Sequence, residues 1–197
     1  MVFNLLLIPG VSIRNMEMTW TRIATTKHRY LMHDDRLYIW CAGTTGRSEW
    51  ADNFRLWQKR VYGRLVNVRD YRAARMIFSE LLKVFGQLDF DRVVCCGFSR
   101  GGAIAQVLDK MLEEESLAIR VELRLFASKR GMSRVRDLRI TSNISYRGDI
   151  VPFLPPPPFY RIPPISWMGR LMLPWRAHNK AAHAAARVRH SLTKSEV

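Results

Sequence analysis

Ser99 lies between two glycines, Gly97 and Gly101, directly after the apolar run Val93-Val94-Cys95-Cys96. A serine hydroxyl is a weak nucleophile until a base takes its proton, and Gly-x-Ser-x-Gly is a spacing at which a chain can present such a hydroxyl. There a strand turns into a helix within about one residue, straining the serine backbone and leaving room only for glycine on either side. The pentapeptide alone also occurs as an ordinary tight turn, so its flanks decide what it does. A nucleophile needs a base and a group to orient that base. Asp149 stands 50 residues downstream (149 minus 99), and His178, His183 and His190 follow it.

The elements that must position these residues can be read from periodicity. Leu37 to Cys41 is apolar on both faces, as a strand buried between helix layers should be, and it ends in Gly43-Thr44-Thr45-Gly46. Trp50, Phe54 and Trp57 fall near helical spacing, so a helix is expected between Ser48, as its N-cap, and Gly63. A longer helix follows, with Ala74, Ile77, Leu81, Leu82 and Phe85 on its buried face and Gly86 closing it. Val93 to Cys96 is a second buried strand, Gly102 to Glu113 the helix behind Ser99, and Val121, Leu123 and Leu125 mark an alternating third strand. A further strand ends near Gly148-Asp149. Strands interleaved with helices imply an open, mostly parallel sheet flanked by helices, with the site at the carboxyl ends of the strands. Ser99 then sits at a helix N-terminus, where the backbone N–H of Arg100 and the helix dipole can stabilise a negatively charged oxygen.

Composition bounds the rest. The 197 residues suit one α/β domain, 1–197, with a motif-bearing core of about 36–156, a proline-rich loop at 152–175 and a basic C-terminal helix at 176–192, regular from about Asn179. The net charge is +15, and from Arg120 onward 15 Lys/Arg face 4 Asp/Glu, leaving 17 (32 minus 15) against 13 (17 minus 4) before it. Such a bias favours an anionic partner, either a phosphate-bearing lipid surface met by Arg130, Arg134, Arg136, Arg139, Arg187 and Arg189, or nucleic acid. Nucleic acid is the lesser expectation, because the basic stretch "SKRGMSRVRDLR" has no aromatics interleaved. Cys41, Cys95 and Cys96 form an odd set without metal-ligand spacing, read as core residues in a reducing compartment, and no other motif calls for a metal or cofactor. "MVFNLLLIPG" lacks the basic start, apolar length and cleavage site of a signal peptide, and the proline-broken segment after Pro152 cannot span a bilayer as a helix. A cytoplasmic, peripherally membrane-associated protein is the expectation.

Four stretches together resemble the class 3 lipase family of α/β-hydrolases. "IWCAGTTGRSEWADNF" is similar to the family's strand, Gly-Thr turn and Trp-x-x-Asn, and "VVCCGFSRGGAIA" to its Gly-His-Ser-Leu-Gly-Gly-Ala elbow. "LRLFASKRGMSRVRD" resembles the Phe-Gly-x-Pro-Arg-x-Gly strand exit, and "YRGDIVPFLPP" the Asp-x-Val-Pro-x-Leu-Pro segment. The chain order Ser, Asp, His is that of α/β-hydrolases. The resemblance implies an α/β-hydrolase-like fold and a serine carboxylic-ester hydrolase acting on a lipid or small ester. It implies Ser99 as nucleophile, Asp149 as the orienting carboxylate, and an oxyanion hole from the N–H groups of Thr44 and Arg100. Departures stand out: Phe98 and Arg100 replace the usual His and Leu, and Lys129 stands at a usual proline. The resulting "GFSRGG" is similar to the elbow of bacterial phospholipase effectors.

The base must be one of the histidines that follow Asp149. His178 precedes or opens the C-terminal helix, the usual source of the histidine, whereas His183 lies about 140° further round at 3.6 residues per turn and His190 sits near a fraying end. His178 is the expected base, with His183 and His190 as alternatives; His28 and His33 precede the serine. Asp109, inside a helix, and Asp137, in a basic loop, are poorer orienting groups. A rival reading keeps the fold but not the chemistry: an inactive hydrolase scaffold serving as a basic binding module.

Overall fold

The computed structural model describes residues 21–23, 26–33, 35–44, 57–85, 90–115, 120–133, 138–154, 166–168, 171 and 173–194. Its framework is a mixed sheet in the order β1-β2-β3-β6-β7-β8-β9. Strands β1 (Thr21–Ile23), β2 (Thr26–His33) and β3 (Arg36–Cys41) pair antiparallel, and β3, β6 (Arg92–Phe98), β7 (Arg120–Phe126), β8 (Ile140–Tyr146) and β9 (Ser166–Met168) run parallel. Helices α1 (Val68–Phe85) and α2 (Arg100–Glu114) and the C-terminal α3 (Pro174–Lys194) complete the layers.

Two-sided burial explains the continuous apolar strands. Leu37, Ile39, Val93, Cys95, Leu123 and Leu125 pack with Ala74, Ile77 and Leu81 of α1 and Ile104 and Leu108 of α2. The alternate residues Tyr38, Trp40, Val94, Cys96 and Phe126 pack with Ala185 and Val188 of α3. Period-two alternation thus feeds two cores rather than a core and solvent. Small residues let α3 approach closely, since Ala177, Ala181 and Ala185 form its buried stripe. Asn67 caps α1, its side-chain oxygen accepting from the N–H groups of Arg69 and Asp70 at 3.0 and 3.4 Å.

Several expectations need correcting. Residues 58–61 are not the end of a helix: β4 (Gln58–Val61) and β5 (Arg64–Asn67) form an antiparallel hairpin. Tyr62 and Gly63 take positive φ of 48° and 72°, as a two-residue hairpin loop with the right twist demands. Ser48, Trp50 and Phe54 lie outside the described residues, as does the N-terminal decapeptide. Leu82 is 49 % exposed, the edge of the α1 stripe rather than part of it. The last helix begins at Pro174, five residues before Asn179, because proline's fixed φ and missing N–H suit the first helical position. The proline-rich segment is not wholly loop either, since β9 adds to the sheet beside β8. Among the described residues, no helix is long and apolar enough to cross a membrane.

Candidate active site

Ser99 takes φ 56° and ψ −122°, a backbone region that costs a non-glycine residue about 1–3 kcal/mol. The surroundings hold it there. Its N–H donates to the Phe126 carbonyl at 3.0 Å, and its own carbonyl accepts from the N–H groups of Gly102 and Lys129, both at 3.1 Å. Three glycines make the turn possible. A Cβ at Gly97 would strike Gly101, one at Gly101 the carbonyls of Cys41 and Ala42 leaving β3, and one at Gly102 the Ser128 side chain. The serine side chain makes no capping bond to α2.

It meets a histidine instead. His178 Nε2 lies 3.1 Å from Ser99 Oγ, and His178 Nδ1 lies 2.9 Å from Asp149 Oδ2. Nδ1–H donating to the carboxylate leaves Nε2 to accept the hydroxyl proton, so this arrangement can move that proton off Ser99. Asp149 is buried, and its Oδ1 accepts the Val151 N–H at 2.9 Å. The turn that presents it depends on Gly148, whose φ is 95°. The imidazole is held on its face as well, with the Phe98 ring 4.7 Å away, centroid to centroid, and inclined by 29°. A Cβ at Gly43 would strike that same Phe98 ring. Phe98 therefore packs between the end of β3 and the histidine.

Arg100 provides the first N–H of α2, one that no intrahelical carbonyl can accept. Thr44 lies three residues beyond β3, whose Cys41 pairs with Gly97 of the strand leading to Ser99. His183 is exposed on the outer side of α3, and the His190 side chain lies outside the described residues. His28 is buried elsewhere, its Nε2 2.8 Å from Glu80 Oε2, and burial lowers its pKa. Asp137 lies outside the described residues. Asp109 is buried within α2, where desolvation pushes its carboxyl up to about 7.

Beneath the serine sits a group that the sequence did not disclose. Asp70 Oδ1 accepts from Arg100 Nε at 2.9 Å, while Lys129 Nζ lies 2.8 Å from Asp70 Oδ2 at angles outside hydrogen-bond geometry. All three are buried, so two cations share one carboxylate. Two of the three departures from the lipase pattern, Arg100 and Lys129, are thus one compensated feature. Gln106 ties down the Lys129 loop, its Nε2 donating to Ser128 Oγ at 2.8 Å and the Lys129 carbonyl at 3.1 Å, and its Oε1 accepting the Gly131 N–H at 3.1 Å. The signal in the sequence was a polar Gln nearly two turns into α2, among Ala103, Ile104, Ala105, Val107 and Leu108. Among the described residues, no cluster of His, Cys, Asp or Glu is placed to hold a metal ion.

No family model matches the chain, and no curated protein matches it in sequence. Solved structures do match. The triacylglyceride lipase of Rhizomucor miehei aligns with a TM-score of 0.60 at 20% identity, over 73% of this chain and 62% of the lipase. The lipase of Rhizopus microsporus var. chinensis aligns with a TM-score of 0.62 at 18% identity, over 82% and 64%. The mono- and diacylglycerol lipase of Aspergillus oryzae gives 0.59 at 17%, over 71% and 56%. The chain thus spans less than two thirds of these lipases' length, and at these identities the likeness shows the fold: a compact, lipase-like α/β-hydrolase fold.

Proposed function

We propose that this protein is a serine hydrolase that cleaves carboxylic esters of lipid type. The observation that carries the reading is the continuous path from Ser99 Oγ to His178 Nε2 (3.1 Å) and from His178 Nδ1 to Asp149 Oδ2 (2.9 Å), starting at a serine with φ 56°. The lipid part rests on the shared fold, matched among others by a triacylglycerol lipase whose catalytic centre is a serine protease triad.

The chemistry follows from the atoms present. Ser99 Oγ attacks the ester carbonyl carbon as its proton passes to His178 Nε2. Asp149 fixes the tautomer and stabilises the imidazolium without taking its proton. The carbonyl oxygen gathers charge and is held by the N–H groups of Arg100 and Thr44, each such donor contributing roughly 3 kcal/mol to the transition state. Collapse breaks the bond to the alcohol oxygen, which leaves with the proton from Nε2. Water then attacks the acyl-serine, giving one proton to His178 and its hydroxyl to the acid, and the serine proton is restored.

Labelling by a fluorophosphonate and turnover of p-nitrophenyl esters test the reading together. Wild type should label and turn over; Ser99→Ala should do neither, and His178→Ala should lose turnover by orders of magnitude while remaining folded. His183→Ala and His190→Ala should retain near-wild-type rates. Equal rates for wild type and Ser99→Ala would leave the inactive binding scaffold as the reading.

A further inference from the structure

We propose that the end of the molecule carrying Ser99 docks on bilayers containing anionic phospholipids, whose acyl esters are the substrates. The substrate half rests on the hydrolase reading above; the docking half rests on where charge and apolar surface lie.

Among the described residues, charge is distributed unevenly in space. At the carboxyl ends of the parallel strands and in the helix turns that begin there, the described cations include Arg72, Arg147, Arg176 and Lys180, all exposed. The described carboxylates in those same stretches are Asp70 and Asp149, both buried, one between Arg100 and Lys129 and the other against His178. The amino ends are mixed. There Asp35, Asp91, Glu113 and Glu122 offset Arg36, Arg92, Arg120 and Arg139.

Apolar side chains share the basic end. Ile150 and Phe153 follow Asp149, Met168 ends β9, and Leu171, Leu173 and Trp175 lead into the turn of α3 that bears His178; Leu171 is 81% and Trp175 62% exposed. Cations alone would suit nucleic acid, but aliphatic side chains such as Ile150, Leu171 and Leu173 have no partner on a phosphodiester backbone. Apolar groups alone would suit a neutral interface. Interleaved, they suit a lipid surface whose acyl boundary takes the apolar side chains while its phosphates meet the cations. Arg139, by contrast, enters β8 at the far end from Ser99. Docked this way, the protein presents Ser99 to the ester level of the bilayer. Hydrolysis breaks the acyl C–O bond, water supplying hydroxyl to the fatty acid and a proton to the lysophospholipid oxygen.

The test is cosedimentation of the full chain with vesicles of phosphatidylcholine and of phosphatidylcholine mixed with phosphatidylglycerol, as salt is raised, with fatty-acid release measured in parallel. Wild type and Ser99→Ala should both bind the mixed vesicles and leave them as salt rises. The combined variant Arg147→Gln, Arg176→Gln, Lys180→Gln should bind on the order of 100-fold more weakly, about fivefold for each cation removed. Lys83→Gln, Arg120→Gln, Arg139→Gln, which removes equal charge at the other end, should bind much as wild type does. Release should be faster from the mixed vesicles. Equal binding to both vesicles, equal weakening by the two combined variants, or displacement by duplex DNA at matched salt would overturn the docking. Turnover of p-nitrophenyl butyrate without charge-dependent binding sinks the docking and spares the hydrolase; binding without turnover of any ester does the reverse.

Discussion

At Asp70 one carboxylate answers two buried cations, and the arithmetic of charge decides what each substitution does. Asp70→Asn keeps the shape but leaves Arg100 and Lys129 facing each other across a neutral amide, and exposing a buried charge in this way costs about 3–5 kcal/mol. Lys129→Met removes one cation and leaves a balanced Arg100–Asp70 pair, so it should be near neutral or mildly stabilising. Urea unfolding of the two variants checks this; a larger loss in Lys129→Met than in Asp70→Asn would overturn the account. The contrast also shows what a sequence can disclose about single residues. Ser99 announces itself through Gly97 and Gly101, because turn sterics demand those glycines at that spacing. Asp149 was read from chain order and the family resemblance, whereas chain order left His178, His183 and His190 open and only the place of His178 at the start of the last helix favoured it. Asp70, 30 residues from Arg100 in sequence, belongs to no spacing pattern and looks like any acidic residue near a helix start.

Among the elements, the long helices were legible and the hairpin was not. Ala74, Ile77 and Leu81 recur at helical spacing and pack into the core, as amphipathic patterning requires. The β4–β5 hairpin was masked by Trp50, Phe54 and Trp57, whose spacing also fits a helix, although Tyr62-Gly63 carried the turn. Helix α2 contains a conflict that periodicity cannot register: Asp109 is buried near Glu113, with Lys110, Arg139 and Arg64 compensating only in part, so its carboxyl is pushed up to about 7. A carboxyl whose folded pKa is raised binds its proton more tightly in the native state. Stability is therefore full below the unfolded value near 4 and falls as pH rises towards 7. Asp109→Asn, an isostere of the protonated form, should match wild type in urea below the unfolded value near 4 and exceed it progressively as pH rises to 8, by up to a few kcal/mol. Parallel pH dependence of the two proteins would show that Asp109 titrates normally.

Over the whole molecule, the two cores are joined through the central strands, and the cysteines report on both. Cys95 faces the α1–α2 core and Cys96 the α3 core, while Cys41 ends the neighbouring strand; all three are free and fully buried. Burial alone raises the Cys41 thiol to about 12, and it drives Cys95 and Cys96 above their ordinary values too. Reaction with an alkylating reagent needs a thiolate and access, and the native state provides neither. Opening one helix layer would expose Cys95 or Cys96 but not both, so synchronous reaction requires the sheet to lose both covers in one cooperative event. Native protein should thus resist iodoacetamide while remaining fully labelled by a fluorophosphonate. In rising urea, mass spectrometry should find Cys95 and Cys96 alkylated together, at a rate that follows global unfolding. Alkylation of Cys96 well before Cys95 would mean that α3, with His178 on it, detaches as a separate unit, and ester turnover would then be lost ahead of the main transition.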